Sequence, residues 1–579
     1  MRIETKNKLA GILVPVFALR HDHDFGIGDT KAMRDAIEFC EENNVGVLQI
    51  LPINETGGDN SPYNAISSVA LDPAYLELAP NAVPGLSQEL IEQCIDASEL
   101  EKLRQDAVAY RQVKQLKVKV LRKAFEIFEK NEILKSTDAA AQLSQFRQEN
   151  SRWLEPYTLF RTIMDRHEGS SVWTQWQEQM RSYESALKHF ECGADNVDRP
   201  EIERSRQFWA YVQWIAFTQW RDLKVFAAKH AVSLMGDLPF GVSRYSADVW
   251  AERRIFDLDW SCGAPPEIYF QGDPFVRQWG QNWGMPLYNW DENKKEDFAW
   301  WRQRIKHLNE LFHYVRIDHV LGFFRVYGFP WIPERNDEFS QLTKEQAKKK
   351  TGGRLPHFVP RADDDPQDAE ENAKEGAAYL QVLLDAAGTT GIVAEDLGVV
   401  PDYVRPLIHE LGIAGFAIPI FERNEEDRSF KAKETLHELS LATYATHDHQ
   451  PIKVFYDQLV KWWHGPEGRE GWLEVQRLMH FLGEDETDPP TTFSDDLHRS
   501  MLRNLLETPC WLALVMITDL LGTTQRFNEP GLSGDSNWSQ RLDRPIKQYG
   551  EDSQYGPKIR YFGDLIKETG RTPLVSVRV

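Results

Sequence analysis

Short apolar runs alternate with longer stretches of helical patterning along this chain. The first run is Gly11-Ile-Leu-Val-Pro-Val-Phe17 and the second is Val45-Gly-Val-Leu-Gln-Ile-Leu51. Between them, Lys31 to Asn43 sets Ala36, Ile37, Phe39 and Cys40 among acidic residues, as an amphipathic helix would. The order run, helix, run predicts a β-α-β unit. Further runs occur at Val232-Ser-Leu-Met235, Tyr314-Val-Arg-Ile317, Gly391-Ile-Val-Ala394, Ala414-Gly-Phe-Ala-Ile418, Leu441-Ala-Thr-Tyr444 and Trp511-Leu-Ala-Leu-Val-Met-Ile517. Eight such runs suit a (β/α)8 barrel. An open doubly wound sheet would give the same pattern, because its strands are also buried on both faces.

Two stretches exceed what a strand-to-strand crossover needs. From about Ser87 to about Asp198 the chain is mostly charged helical pattern, including Glu99 to Lys130, which predicts a helical subdomain. From about Glu334 to Gly376 it turns polar, with Lys348-Lys-Lys350, Asp363-Asp-Asp365 and few large apolar residues outside Leu355-Pro-His-Phe-Val-Pro360. That composition predicts a mobile surface insertion.

With 579 residues and 41% hydrophobic content, the chain can bury one large core or two medium ones. Its net charge of −22, without a long basic run, excludes nucleic acid and anionic membranes as natural partners. Met1 to Lys8 is charged and lacks the apolar segment of an export signal, and the longest apolar stretch, Cys510 to Ile517, is far too short to span a bilayer. A cytoplasmic protein is expected. The cysteines Cys40, Cys94, Cys192, Cys262 and Cys510 are scattered and show no C-x-x-C spacing, as expected of reduced core thiols.

The candidate chemistry lies where the apolar runs end. In a parallel barrel, functional groups sit at the carboxyl ends of strands. Asp237, Asp318, Glu395 and Asp448 all fall there. For any one acid, capping the next helix or pairing with a neighbour is the simpler use. Four together, with Arg316 and His447 beside them, make a converging set of carboxylates that suits glycoside chemistry, in which one group protonates a leaving oxygen and another attacks or activates water. The rival use is a metal site at His447-Asp448-His449. On an extended strand, however, Asp448 would point away from both histidines. The nineteen Trp residues add mild support for a sugar, since indole faces stack on pyranose rings. Trp209, Trp214 and Trp220 read as core, whereas Trp283, in Gln278-Trp-Gly-Gln-Asn-Trp-Gly284, is the better ligand candidate.

At these residues the sequence resembles the 4-α-glucanotransferases, the amylomaltase or disproportionating-enzyme family of retaining α-glucan enzymes. Arg316-Ile-Asp-His319 resembles the family's nucleophile segment, Ala394-Glu-Asp-Leu-Gly398 its acid/base segment and Thr446-His-Asp448 its third-carboxylate segment. Ser61-Pro-Tyr63, Gly280-Gln-Asn-Trp-Gly284, Arg526-Phe-Asn-Glu-Pro-Gly531 and Asn537-Trp538 also look like family elements. Each motif alone is weak, but the ordered set is specific. The chain departs from the family pattern at Met285 and at His449-Gln-Pro451.

The resemblance implies a (β/α)8 TIM barrel over 1–579, with a helical insertion subdomain at 87–198, a loop-rich insertion near the cleft at 243–312, a polar insertion at 334–376 and no separate C-terminal β domain. It implies Asp318 as nucleophile, Glu395 as acid/base and Asp448 as transition-state stabiliser. Arg316 and His447 would hold the nucleophile and sugar hydroxyls, and Tyr63, Asp237, Trp283 and Asn528 would line glucose subsites. The expected partners are maltooligosaccharides, maltose, and glycogen or starch-like glucans, with no cofactor and no metal. A hydrolytic α-glucanase is the alternative enzyme. A non-catalytic glucan-binding protein is the alternative of another class.

Overall fold

The computed structural model describes residues 3–192, 199–266, 273–530, 534 and 536–573. The end of the predicted helical insertion (193–198), part of the predicted 243–312 insertion (267–272) and Gly531 of the Arg526–Gly531 motif lie outside the described residues.

Every one of the eight apolar runs overlaps a strand: β1 (Leu9–Leu13), β2 (Val47–Gln49), β3 (Ser233–Leu238), β4 (Tyr314–Ile317), β5 (Gly391–Ala394), β6 (Gly415–Ala417), β7 (Ser440–Ala442) and β8 (Leu512–Met516). They form one parallel sheet in the order β5-β4-β3-β2-β1-β8-β7-β6. β1 pairs with β8 along its whole length, Leu9 facing Leu512 through Leu13 facing Met516. A parallel bridge between Val393 and Ala414 joins the two remaining edges. Strand order therefore runs once around a ring, which excludes the open doubly wound sheet, and the fold is a (β/α)8 barrel; among the described residues no separate C-terminal domain follows it. Every residue of β1 and β8 is buried, as expected for strands covered on both faces.

The helix predicted between the first two runs is α1 (Thr30–Glu42). Asp29 caps it, accepting from the backbone N–H groups of Lys31 and Ala32, and its inner face buries Met33, Ala36, Ile37, Phe39 and Cys40. Between Gln88 and Cys192 the described chain is a series of helices. The principal ones are α2 (Tyr110–Phe128) and α3 (Ser151–Arg166), which pack against the long α4 (Arg199–Lys229) leading into β3. Trp209, Trp214 and Trp220 on α4 are all buried. A buried polar cluster ties this layer to the loop after β2. In it, Tyr157 donates to Glu55 at 2.5 Å and the Arg161 guanidinium lies 3.2 Å from the same carboxylate.

The polar 334–376 segment, expected as a mobile surface insertion, carries regular structure. Lys344–Lys350 is a helix with a full capping box from Thr343 and Gln346, and Pro366–Ala387 is a helix capped by Asp365. His357–Val359 forms the edge of an antiparallel sheet with Val326–Phe329, Ser261–Ala264 and Gln281–Asn282. A small second core, containing Phe275, Trp279, Phe329, Trp331 and Phe339, lies between this segment and the 256–290 region. Trp331 and Phe339 stack at 3.9 Å between ring centroids. The segment is poor in apolar residues because it shares a core with its neighbour instead of building its own. Among the described residues, no helix is long and apolar enough to cross a membrane, and Cys40, Cys94, Cys262 and Cys510 are buried free thiols.

The chain end is fastened beneath the barrel by Arg571, which is fully buried. Its guanidinium donates to the carbonyls of Leu506 (2.6 Å), Leu9 (3.0 Å), Cys510 (3.0 Å) and Thr508 (2.7 Å), bridging the start of β1 and the approach to β8. Burial among these neutral acceptors lowers its pKa to about 10. Truncation would leave the carbonyls unsatisfied in a closed space. Arg571→Ala is expected to destabilise the fold by about 3 kcal/mol, measured as a lowered midpoint in urea; a midpoint equal to wild type would refute this fastening role.

Candidate active site

Strand register brings the acids together. Across β3 and β4, Asp237 faces Arg316, and across β4 and β5, Ile317 faces Ala394. The next residues, Asp318 and Glu395, therefore stand side by side on adjacent strand ends, whose backbones in a sheet lie about 4.8 Å apart. The ladder continues one step past the strands, with Asp318 N–H donating to Leu238 O and Glu395 N–H to Ile317 O, both at 2.9 Å.

Arg316 is the hub. Its Nη1 donates to both oxygens of Asp237 at 2.8 and 2.7 Å, and its Nη2 lies 2.9 Å from Asp318 Oδ1. Tyr63, from the loop after β2, donates its hydroxyl to Asp237 Oδ2 at 2.7 Å. Burial works against the Arg316 charge, but Asp237, Tyr63, Asp318 and Glu395 outweigh it and hold the guanidinium well above its ordinary pKa. Burial also pushes the Asp237 carboxyl up against the pull of Arg316. Its side chain is 0% exposed. Asp237 thus lies behind Arg316 and Tyr63.

His319 follows Asp318 in the left-handed region, φ +48°. The turn aims its backbone N–H at Glu395 Oε2, 2.7 Å away. Burial, reinforced by the negative charges of Asp318 and Asp448 and opposed by Arg316, pushes the Glu395 pKa up to about 8. The two adjacent carboxyls therefore differ: burial holds Glu395 towards its neutral form, while Asp318 is ion-paired to Arg316. That is the division of roles that acid and nucleophile require.

Asp448 lies in a turn beyond the end of β7, not on extended backbone. Its N–H donates to Thr446 Oγ1 at 3.3 Å, and the turn brings His447 Nε2 to 3.3 Å from its Oδ2. The expectation that Asp448 points away from both histidines fails for His447, because it assumed a strand. His449 is drawn back instead, with Nδ1 2.8 Å from Thr446 Oγ1 and its ring against Phe421. Asn528 donates to Asp448 Oδ1 at 2.7 Å, and Arg526 to its carbonyl at 2.9 Å. Burial favours the neutral acid, but His447, Arg316 and the Asn528 amide hold Asp448 below its ordinary range. Among the described residues, no group of three or more His, Cys, Asp or Glu side chains is gathered to hold a metal ion.

A cleft of about 630 Å³ opens over these groups, and Tyr63, Trp283, Arg316, Asp318, Glu395 and Asp448 line it. Trp283 is 37% exposed and meets the His319 ring edge to face at 5.0 Å. Gly280 and Gly284 flank its turn with φ +94° and +82°; a Cβ on Gly280 would come within 2.1 Å of Ala264 O. His447 stacks on Tyr63 at 5.2 Å, and Trp538 closes against both rings. His449 also lines the cleft, whereas Asn528 is buried behind Asp448. Trp538 and His319 were visible in the sequence only as members of motifs. Tyr327 and Phe358, which line the cleft from the second sheet, carried no signal.

A closed parallel barrel that presents an ion-paired carboxylate beside a buried one with a raised pKa defines a TIM-barrel enzyme of the carboxylate-dependent class. The family model described as 4-alpha-glucanotransferase matches residues 14–547. The 4-alpha-glucanotransferase of Chlamydia pneumoniae is 30% identical over 554 residues, covering 93% of this chain and 92% of the relative. That of Chlamydia caviae is 31% identical over 93% of this chain and 91% of its own length. In fold, the chain is similar to an amylomaltase from Streptococcus agalactiae in complex with acarbose, with a TM-score of 0.73, 22% identity and coverage of 98% and 100% of the two chains. A Corynebacterium glutamicum amylomaltase superposes with a TM-score of 0.75 at 19% identity, covering 97% of this chain and 75% of that one. The chain belongs to the 4-alpha-glucanotransferase family, and its reaction is 4-α-glucan transfer.

The raised Glu395 pKa has a stability consequence. A carboxyl that moves from about 4.5 unfolded to about 8 folded contributes stability below the lower value, and that contribution drains away as pH rises to the upper one. Glu395→Gln keeps an acceptor for His319 and cannot ionise. It is expected to match wild type near pH 4.5 and to exceed it by on the order of 2–4 kcal/mol above pH 8. Unfolding midpoints of the two proteins across that range check this; a constant difference would mean that Glu395 titrates normally.

Proposed function

We propose that the enzyme works by retaining double displacement, with Asp318 as nucleophile, Glu395 as acid/base and Asp448 as stabiliser of the oxocarbenium-like transition state. The observation that carries this is the placement of Glu395 and Asp318 on adjacent strand ends, Asp318 paired to Arg316 and Glu395 buried so that its carboxyl pKa is raised. Asp318 attacks the anomeric carbon, the glycosidic C–O bond breaks, and the Glu395 proton goes to the departing oxygen. Glu395, now a carboxylate, then takes the proton of an incoming 4-hydroxyl, which attacks the anomeric carbon and releases Asp318. The adjacent strand ends suit the carboxyl separation of about 5 Å that retention needs.

In this reading Arg316 and His447 orient Asp318, Asp448 and the sugar, while Tyr63 and Trp283 meet glucose rings in the cleft. Asp237 and Asn528 act one step removed, through Arg316 and Asp448. The donors and acceptors are maltooligosaccharides, with maltose and glycogen or starch-like glucans at the short and long ends. We divide the chain into one catalytic barrel with a helical layer at 87–198 and a second, cleft-side unit in which the 243–312 and 334–376 segments join. An aromatic-lined cleft favours a sugar hydroxyl over water at the intermediate by limiting solvent, which supports transfer over hydrolysis.

Incubation with maltotriose, with and without glycogen, tests the reading. Redistributed chain lengths with few new reducing ends are expected, whereas stoichiometric reducing ends would mean hydrolysis. Asp318→Asn should lower turnover by about 10⁴ or more while leaving the thermal midpoint near wild type; near-normal activity would remove Asp318 as nucleophile. His449→Asn, which changes a cleft-lining ring beside Asp448, is expected to shift the preferred acceptor length more than donor cleavage. Acceptors from glucose to long maltodextrins at fixed donor measure that shift, and an unchanged profile would make the His449-Gln450-Pro451 departure neutral for specificity.

A further inference from the structure

The cleft extends beyond the carboxylates onto the second sheet. Leu321, Arg325, Tyr327 and Phe358 continue its lining from Asp318. Phe358 lies directly opposite Tyr327 in antiparallel register, and Tyr327 opposite Gly263. Residues directly opposite share a face of a sheet. One face of this sheet therefore presents a row of two aromatic rings and then a position without a side chain, and all three residues line the cleft. The rings meet edge to face at 5.3 Å and are only half-buried. A Cβ on Gly263 would come within 2.0 Å of Gln281 O, so the step in the row is enforced by packing.

The position of Phe358 is fixed by polar anchoring behind it. The Arg325 guanidinium lies over the ring at 4.0 Å, its Nε is 2.9 Å from Asp363 Oδ2, and its Nη1 donates to Ala362 O at 2.7 Å. Asp363 also accepts from Tyr403 at 3.1 Å and from Asn372 at 2.7 Å. Barrel loops and the 334–376 segment are thus latched together at Asp363, just past the ring. Contact between the two units alone would call for buried rings. Phe358 carries a cation on one face, and both rings are half-buried and reach the cleft, which is the form of a stacking platform for a ring with an apolar face and polar edges.

We propose that Tyr327 and Phe358 form a remote glucose subsite, which stacks on a sugar of the bound α-glucan several units from the bond being broken and makes the enzyme prefer longer chains. This inference rests on the proposed glucan transfer. Through it, the second unit sets chain-length preference without touching the reacting atoms.

The test is the ratio of kcat/KM for maltoheptaose to that for maltotriose, which is insensitive to the fraction of a variant that folds. Wild type is expected to favour maltoheptaose. Phe358→Leu, which keeps apolar volume but loses the flat ring, should lower the ratio about tenfold, the low end of what one pocket contact contributes, whereas Phe358→Tyr should retain it. An unchanged ratio in Phe358→Leu, an equal loss in both variants, or a wild type with no preference for length would overturn the subsite while leaving glucan transfer intact. Absence of transfer from any of these oligosaccharides in wild type would instead overturn the function reading, and the subsite with it.

Discussion

A guanidinium removed from water costs several kcal/mol unless its donors and charge are met by fixed partners, and Arg316 is met by Asp237 and Asp318. The register of β3 against β4 does the first half of this, because Asp237 and Arg316 are direct neighbours across the ladder. The second half comes from position along β4, where Asp318 stands two residues after Arg316 and its side chain returns to the same side of the strand. A one-residue slip of β3 against β4 would turn Asp237 to the opposite face and leave the buried Arg316 charge half unpaired. The barrel and the site are therefore held by the same constraint. Tyr63 adds its hydroxyl to Asp237, and through its ring supports His447 and, beyond it, Asp448.

This arrangement also explains how two neighbouring carboxyls come to differ. Arg316 contacts Asp318 directly, whereas Glu395 is buried and receives a backbone N–H from His319. Burial raises the Glu395 carboxyl, and the charges of Asp318 and Asp448 add to this against the pull of Arg316. The left-handed turn at His319 is part of the same device. It costs local strain, but it returns the chain quickly enough to place an N–H on Glu395 without placing a second positive charge there.

How much of the molecule is legible in its sequence depends on how local each signal is. All eight strands are legible because buried parallel strands are short continuous apolar runs, and Asp318 and Glu395 are legible because they directly succeed two of them. Ring closure is not legible in periodicity, since it rests on long-range pairing, of β1 with β8 and of Val393 with Ala414. The turn at Thr446–His449 reads as extended in the sequence because its geometry depends on side-chain bonds to Thr446 that composition does not announce. Asp237 and Asn528 belong to the site but behind its walls, and a sequence cannot separate a group that touches substrate from one that touches the group that does.

The same limit accounts for the 334–376 segment. Charge density and scarce apolar residues are good evidence against an independent core, and the segment has none of its own. Its Phe339 instead packs with Phe275, Trp279, Phe329 and Trp331, residues that precede it in the chain. Burial in a core of this kind is set by pairing distant pieces of chain, so no window over either piece reveals it. Function is divided along the same line. The barrel strands carry the reacting groups under tight register, while the joined insertions contribute a wall fastened to the barrel through Asp363 and Arg325. Under the proposed remote subsite, substitutions in that wall would change which glucans fit without disturbing the Asp237–Arg316–Asp318 register, so chain-length preference would vary independently of the reacting groups.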